Sequence, residues 1–337
     1  MRKTLSLAAF ALLFTATGFA QQDAMFTKYM FNSLIFNPGY AGSRDHMYVG
    51  LLHRSQWVGV DGAPTTQTLT AHTPLKNERV GVGLSLINDE IGPTNTIGAN
   101  LSYAYRIPVG EKSKLSVGLQ AGLEQYSAKW SQLNISEPDA TFGADFTELL
   151  PNFGVGVYFY NKHFYAGASV PHLVENDLRE NVDPDAPAFY ARQVRHYYFT
   201  TGTAIPLNGD DLIFKPSLLV KAVGLLKSQS KLEEFKDIGA PIELDIDLSL
   251  LFYETLWVGA AVRTAAVQLQ FDETKRKSSF DSADIWASYF LNNGLRIGAA
   301  FDFPINALRN VTAGSFELML GYEFNYKENK IATPRYF

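Results

Sequence analysis

The sequence predicts an all-β protein: a transmembrane antiparallel β-barrel of the outer-membrane type, with about 14 strands and a short N-terminal helical or plug segment. Apolar and polar residues alternate with period two in many segments of strand length. The connections between these segments alternate between long and short. Aromatic residues make up 13% of the chain and charged residues 19%, which is below the ~25% typical of soluble domains.

The charge balance and the absence of cysteine exclude several classes of protein. The 337 residues contain 29 Lys and Arg against 34 Asp and Glu, a net charge of -5, so we expect no nucleic-acid partner. Without cysteine, the chain has no disulfide scaffold, thiolate metal site, cysteine nucleophile or cysteine lipid anchor.

Residues 1–20 have the pattern of a secretory signal peptide. Arg2 and Lys3 precede a short apolar run, and Gly18-Phe19-Ala20 places small residues at both key positions of a cleavage site. A buried N-terminal helix is the alternative. We therefore expect a mature protein that begins at Gln21 and lies outside the cytoplasm.

Residues 21–46 show a different periodicity and form a separate N-terminal segment. Asn37-Pro38-Gly39 would end a helix here. We expect a short amphipathic helix that plugs the barrel mouth from the periplasmic side, and binding of a partner is the alternative. The apolar residues recur largely every three or four positions: Met25, Phe26, Tyr29, Met30, Phe31, Leu34 and Ile35.

Residues 47–326 are predicted to form the barrel, and 327–337 a periplasmic tail. No apolar run after the signal peptide reaches the ~18–20 residues of a transmembrane helix. Alternation is clearest at 80–86, 97–107, 115–123, 242–252, 295–303 and 316–324. It is weaker at 47–57, 66–73, 152–160, 162–170, 195–205, 212–223, 256–267 and 282–291.

Connection lengths favour a membrane barrel over a soluble sandwich. Bacterial outer-membrane barrels combine short periplasmic turns with long outer loops and use an even number of strands, which places both chain ends in the periplasm. A sandwich has no reason to alternate loop length so regularly. Long connections are expected near 58–65, 87–96, 125–151, 171–194, 224–241, 268–281 and 304–315.

Few residues have the spacing of a chemical site. The six histidines form no metal-binding pair. Glu243, Asp245 and Asp247 share one strand face, which is compatible with catalytic carboxylates or a calcium site. We favour a hydrated lumen face matched by Lys215 and Lys221. The expectation is no enzyme activity, no catalytic, cofactor-binding or metal site, and no cofactor.

Several strings, in order along the mature chain, resemble the PorP/SprF family of outer-membrane proteins from the type IX secretion and gliding systems of Bacteroidota. Ala24 stands where the family commonly has proline, and Phe316 stands where a histidine is expected. The strings are FTKYMFNSLIFNPGYAGSRD at 26–45, QWVGVDGAPTTQTLTAHTPL at 56–75, GVGLSLINDEIG at 81–92, YAYRIPV at 103–109, PNFGVGVYFY at 151–160, FYAGASVPHL at 164–173, RHYYFTTG at 195–202, FKPSLLVK at 214–221 and PRYF at 334–337.

The resemblance implies a non-enzymatic outer-membrane component of this system. Such proteins associate with periplasmic ring or lipoprotein components, or support secretion and surface attachment of an adhesin. A general porin or small-molecule channel is the alternative, although Arg106, Tyr158, Tyr160 and Tyr165 would narrow the lumen. No small-molecule substrate is indicated.

Aromatic side chains at the two chain ends are the candidate partner-binding residues, because such groups bury a large area with little loss of rotamer entropy. We expect part of this set to form an exposed patch that faces the periplasm. The candidates are Phe26, Tyr29, Phe31, Phe36, Tyr40, Tyr336 and Phe337.

Overall fold

The computed structural model describes residues 26–44, 46–76, 78–133, 144–176, 193, 195–223, 242–266 and 279–324. The predicted signal peptide and the predicted tail at 327–337 lie outside these residues and stay predictions.

The described residues form fifteen strands that follow one another around a single sheet. Their bounds are β1 (Tyr48–Ser55), β2 (Thr65–Pro74), β3 (Val80–Ile91), β4 (Thr94–Val109), β5 (Ser113–Ala128), β6 (Phe146–Tyr160), β7 (Phe164–Val170), β8 (His196–Thr203), β9 (Ile205–Asn208), β10 (Leu212–Val223), β11 (Ile242–Phe252), β12 (Leu256–Ala266), β13 (Ser279–Phe290), β14 (Leu295–Pro304) and β15 (Ser315–Glu323).

The sheet closes on itself. β15 pairs antiparallel with β1, with Tyr48 opposite Glu323 and Ser55 opposite Phe316. β8 and β9 both pair with β10 and are separated by Ala204 alone, so they occupy one position and the barrel has fourteen. Closure leaves no unpaired strand edge, which a lipid environment requires. The predicted fold class and strand count are confirmed.

Strand faces follow the period-two pattern. On β11, Ile246 and Leu248 are 47% and 53% exposed on the outer surface, whereas Asp245 and Asp247 are buried toward the lumen. Successive side chains of a strand point to opposite faces, so each apolar residue meets lipid and each acidic one faces inward. The prediction that Asp245 and Asp247 face the lumen is confirmed.

A charge on this outer face should destabilise the barrel. We expect Ile246→Lys to lower the free energy of unfolding by ~2–4 kcal/mol, because the lysine would lie near the bilayer midplane. Urea unfolding in lipid vesicles measures the change. Val311→Lys is the matched control, since Val311 is 65% exposed in the connection between β14 and β15. Equal stability of the two variants would show that Ile246 does not face lipid.

Connections at one end of the barrel are short, as expected for the periplasmic side: 75–79, 110–112, 161–163, 209–211, 253–255 and 291–294. We call this the short-turn end and the opposite end the long-loop end. The chain leaves β15 at the short-turn end, where the nitrogen of Phe324 donates to the Met47 carbonyl in a 2.9 Å hydrogen bond.

One predicted long loop is wrong. β3 extends to Ile91 and β4 begins at Thr94, so Gly92-Pro93 alone connects them rather than 87–96. Polar residues replace the apolar alternation here, yet the strands continue as a paired ribbon, with the Asn95 amide donating to the Asn88 amide oxygen at 3.0 Å. Gly92 has φ +55°, a conformation that glycine adopts readily.

Residues 26–44, which we call the lumen segment, run through the inside of the barrel. The predicted amphipathic helix is three single turns: Tyr29–Phe31 (3-10), Ser33–Phe36 (α) and Pro38–Tyr40 (3-10). Asn32 and Asn37 separate them, and the Asn37 side chain accepts a 2.8 Å hydrogen bond from the Gly39 nitrogen. Within the described residues, no helix is long and apolar enough to cross a bilayer.

Candidate functional site in the barrel lumen

Aromatic side chains of the lumen segment are buried against the barrel wall. Phe26, Tyr29, Phe31, Phe36 and Tyr40 are 2–7% exposed. The expected exposed patch is therefore wrong for these five residues, because the barrel itself supplies the apolar surface that they need. Binding of a partner by them stays a prediction. The two other candidates, at 336 and 337, lie outside the described residues.

Two tryptophans of the wall form the main aromatic contact. The Phe31 ring lies 5.3 Å from Trp257 and 5.5 Å from Trp286 between centroids, and the two tryptophan rings lie 4.9 Å apart. Phe36 packs on Tyr198 at 5.0 Å, and Tyr40 packs on Tyr158 at 5.3 Å. Edge-to-face and tilted aromatic pairs of this kind add ~0.5–1.5 kcal/mol each beyond the area that they bury.

Glycines of the wall allow the lumen segment to approach the sheet closely. A Cβ atom on Gly118 would overlap the backbone of Pro38 and Gly39, and one on Gly156 would overlap the Asn37 side chain. Backbone can come this near only where the facing residue lacks a side chain. A lumen-facing glycine that interrupts a strand is the signal that could have indicated this contact from sequence.

Glu317 of β15 binds the backbone of the lumen segment. Its carboxylate is fully buried and accepts hydrogen bonds from the Thr27 nitrogen at 2.8 Å and the Lys28 nitrogen at 3.0 Å. Arg54 of β1 lies 3.5 Å from the same carboxylate and 3.3 Å from Asp302. Buried carboxylates need such partners, since an uncompensated buried charge costs several kcal/mol.

The acidic face of β11 is occupied by ion pairs. Asp247 lies 3.0 Å from the Lys28 ammonium, which also contacts Asp284 of β13 at 2.5 Å. Asp245 accepts two hydrogen bonds from Arg263 of β12, at 2.7 and 2.8 Å. Arg263 also donates to the carbonyl of Phe26 at 3.0 Å, so this face positions the first turn of the lumen segment.

Of the two lysines that we expected to match these carboxylates, Lys221 lies 3.7 Å from Glu243. The Lys215 ammonium lies over Trp257, 3.3 Å from the ring centroid. In the described part of the chain, no group of three or more histidine or acidic side chains could hold a metal ion.

A second set of contacts attaches the lumen segment at the short-turn end. Arg44 pairs with Glu323 and lies 4.5 Å over the Tyr48 ring, and Arg106 donates to the carbonyl of Gly42. The Gly42 nitrogen donates to His72 Nδ1 at 3.2 Å. Since these contacts supplement those of Glu317, the segment is bound at both ends of its path.

All four side chains that we expected to narrow the lumen are buried. Arg106, Tyr158, Tyr160 and Tyr165 are 1–7% exposed. Together with the lumen segment, they occupy space inside the barrel, where a general porin has an aqueous channel.

A family model described as "Type IX secretion system membrane protein PorP/SprF" matches residues 18–322. The chain belongs to the PorP/SprF family. The family places this outer-membrane type barrel among the membrane components of type IX secretion. No curated protein matches the sequence significantly.

Solved structures with a similar fold are distant in sequence from this PorP/SprF chain. The CymD monoaromatic hydrocarbon channel has 12% identity and a TM-score of 0.50, covering 91% of this chain and 94% of that one. A Pseudomonas aeruginosa FadL homologue has 13% identity and a TM-score of 0.48, and the match covers 87% of this chain and 94% of the homologue. The Acinetobacter baumannii protein Omp33 has 10% identity and a TM-score of 0.44, and the match covers 83% of this chain and 98% of Omp33. The likeness to CymD concerns the fold alone.

Phe316, which stands where the PorP/SprF pattern has a histidine, precedes Glu317, the residue that binds the lumen segment. Phe316 and Glu317 are consecutive on β15, so their side chains point to opposite faces. The contacts of the lumen segment therefore use Glu317, and the replaced histidine position lies on the other face of the strand.

Proposed function

We propose that this PorP/SprF barrel is a non-enzymatic component of the type IX secretion and gliding system. A cleavable signal peptide exports it to the outer membrane of a Gram-negative bacterium. There it supports secretion or surface attachment of an adhesin, or links to periplasmic ring or lipoprotein components. The observation that carries the proposal, beside the family match, is that the protein's own residues 26–44 fill the lumen.

A filled lumen favours an interaction protein over a general porin. A porin needs a continuous aqueous path through the barrel. Here the path is occupied by aromatic side chains and by backbone that is hydrogen-bonded to the wall. A small-molecule channel remains the second candidate because CymD, a hydrocarbon channel, has a similar fold.

The short-turn end and the long-loop end are then the surfaces through which the barrel would contact its partners. At the long-loop end we propose that the connections between β5 and β6 (129–145, predicted as 125–151) and between β7 and β8 (171–195, predicted as 171–194) contact a secreted adhesin. At the short-turn end we propose contact with periplasmic machinery. Binding through the candidate aromatics of 26–40 would require the lumen segment to leave the barrel first.

Liposome swelling and co-purification together test this function. We expect vesicles that contain the purified barrel to exclude small sugars. We also expect the barrel, tagged at the exposed Val311 and cross-linked in its native membrane, to co-purify with type IX components or with an adhesin. Rapid swelling without any co-purified secretion component would favour the channel instead. Heat-modifiable gel mobility checks that the tagged barrel assembles.

A further inference from the structure

A cavity lies between the lumen segment and the wall, on the side of β10, β12 and β14. Its empty volume is about 430 Å³, including the part that opens to solvent. Three cations line it, and its other polar groups are mostly hydroxyls. No aspartate or glutamate is among the described residues that line it. The lining residues are Met30, Ser33, Tyr40, Arg44, Tyr158, Tyr165, Lys215, Pro216, Ser217, Trp257 and Arg296.

Arg296 is a buried cation of this cavity. It is 4% exposed, and its guanidinium carbon lies 4.3 Å from the Phe31 ring centroid and 3.9 Å from that of Phe290. Its Nε donates to the Ser288 hydroxyl at 3.2 Å. Among the described residues it forms no ion pair with a carboxylate. Aromatic faces stabilise a cation, but they leave most of its N–H donors without a strong acceptor.

The neighbouring cavity provides an internal comparison. It lies beside Phe26 and Phe36, and two cations and two carboxylates line it: Lys221, Arg263, Glu243 and Asp245. There each cation has an acidic partner within 4 Å. In the first cavity, Arg44 pairs with Glu323, which is not among the lining residues, whereas Arg296 forms no ion pair with a carboxylate among the described residues.

We propose that the first cavity binds a small oxyanion of the carboxylate or phosphate class. The guanidinium of Arg296 and the ammonium of Lys215 would supply charge-assisted hydrogen bonds, and hydroxyls of the lining would supply neutral ones. An anion there would pair with the buried charge of Arg296. This site is separate from the secretion function proposed above and does not depend on it.

Calorimetric titration of the full-length barrel in a neutral detergent tests the proposal. The probes are inorganic phosphate and acetate, added separately at constant chloride, which distinguishes a tetrahedral from a planar oxyanion. We expect saturable binding of at least one. Lys215→Gln and Arg296→Gln should each weaken it roughly tenfold or more, because each removes a buried charge from the site.

Lys221→Gln is the matched control, since it removes a lysine of the same strand that lines the second cavity and pairs with Glu243. This variant should bind the oxyanion with the affinity of the unmodified barrel. Absence of saturable heat with both probes overturns the proposal, and so does equal binding by all variants.

Tryptophan emission provides a second measurement that needs no charge variant. Trp257 contacts both Lys215 and Arg296, at 3.3 and 4.9 Å from its ring centroid. We expect the bound oxyanion to change the emission of the unmodified barrel, and Trp257→Phe to abolish this change. A change that persists in Trp257→Phe would place the anion elsewhere and overturn the assignment.

Discussion

Replacing Glu317 with glutamine is expected to release the lumen segment and to open the barrel to ions. The substitution keeps the shape of the side chain. It removes the charge that pairs with Arg54 and accepts hydrogen bonds from the Thr27 and Lys28 nitrogens. Removing one member of a buried charge pair costs ~3–5 kcal/mol, because the other charge is left buried without compensation. The outward surface of β15 is unchanged, so the barrel should still assemble.

Single-channel recording in planar bilayers measures this opening. The unmodified barrel should conduct little and the variant should show frequent open events. Trypsin offers a second readout, because a released segment exposes Lys28 and Arg44 to cleavage. Glu78→Gln is the control, because Glu78 lies in a short turn and its side chain is 77% exposed. Its carboxylate oxygen lies 3.9 Å from the Lys114 ammonium, so the substitution removes a charge from a weak surface ion pair. Identical conductance and cleavage for both variants would contradict a role for Glu317 in holding the segment.

Replacing Gly118 with alanine should displace the middle of the lumen segment. The added methyl group would overlap backbone atoms of Pro38 and Gly39, and no side-chain rotation can relieve such a clash. Adding a group to a well-packed interior typically destabilises a protein by ~1–3 kcal/mol. Here the lumen segment would lose its contact with the wall, while β5 itself would keep its place in the sheet. We therefore expect increased conductance with normal heat-modifiable mobility of the barrel.

Gly298→Ala is the matched control for this change. Gly298 also faces the lumen from a strand, but its new methyl group would lie 3.1 Å from the end of the Met319 side chain, 3.2 Å from the Ala287 carbonyl oxygen and 3.3 Å from the Ser288 Cβ. These contacts need shifts of only a few tenths of an ångström and involve no atom of the lumen segment, so conductance should stay low. If Gly118→Ala behaves like Gly298→Ala, the lumen segment does not pack on β5 as described.

Local patterns were sufficient to predict most of the barrel. Alternation placed the acidic residues of β11, Asp247 among them, on the lumen face, and the predicted barrel is closed by the pairing of β1 with β15. Side-chain direction in a strand depends only on the backbone of neighbouring residues, so a single sequence contains it. The same reasoning failed at 87–96, because polar residues continue β3 and β4 beyond the apolar pattern.

What the sequence by itself determined, then, is the set of strands, their faces and the apolar character of residues 26–40. Only the tertiary structure decided where those apolar residues are buried. An aromatic segment can bury itself against its own barrel or against a partner, and its composition is the same in both cases. The decision lies in contacts between residues far apart in the chain: Lys28 meets Asp247 across 219 positions, and Gly39 meets Gly118 because that strand offers no side chain there. Such pairings depend on how the closed sheet arranges distant strands around the lumen, and no periodicity within one segment encodes that arrangement.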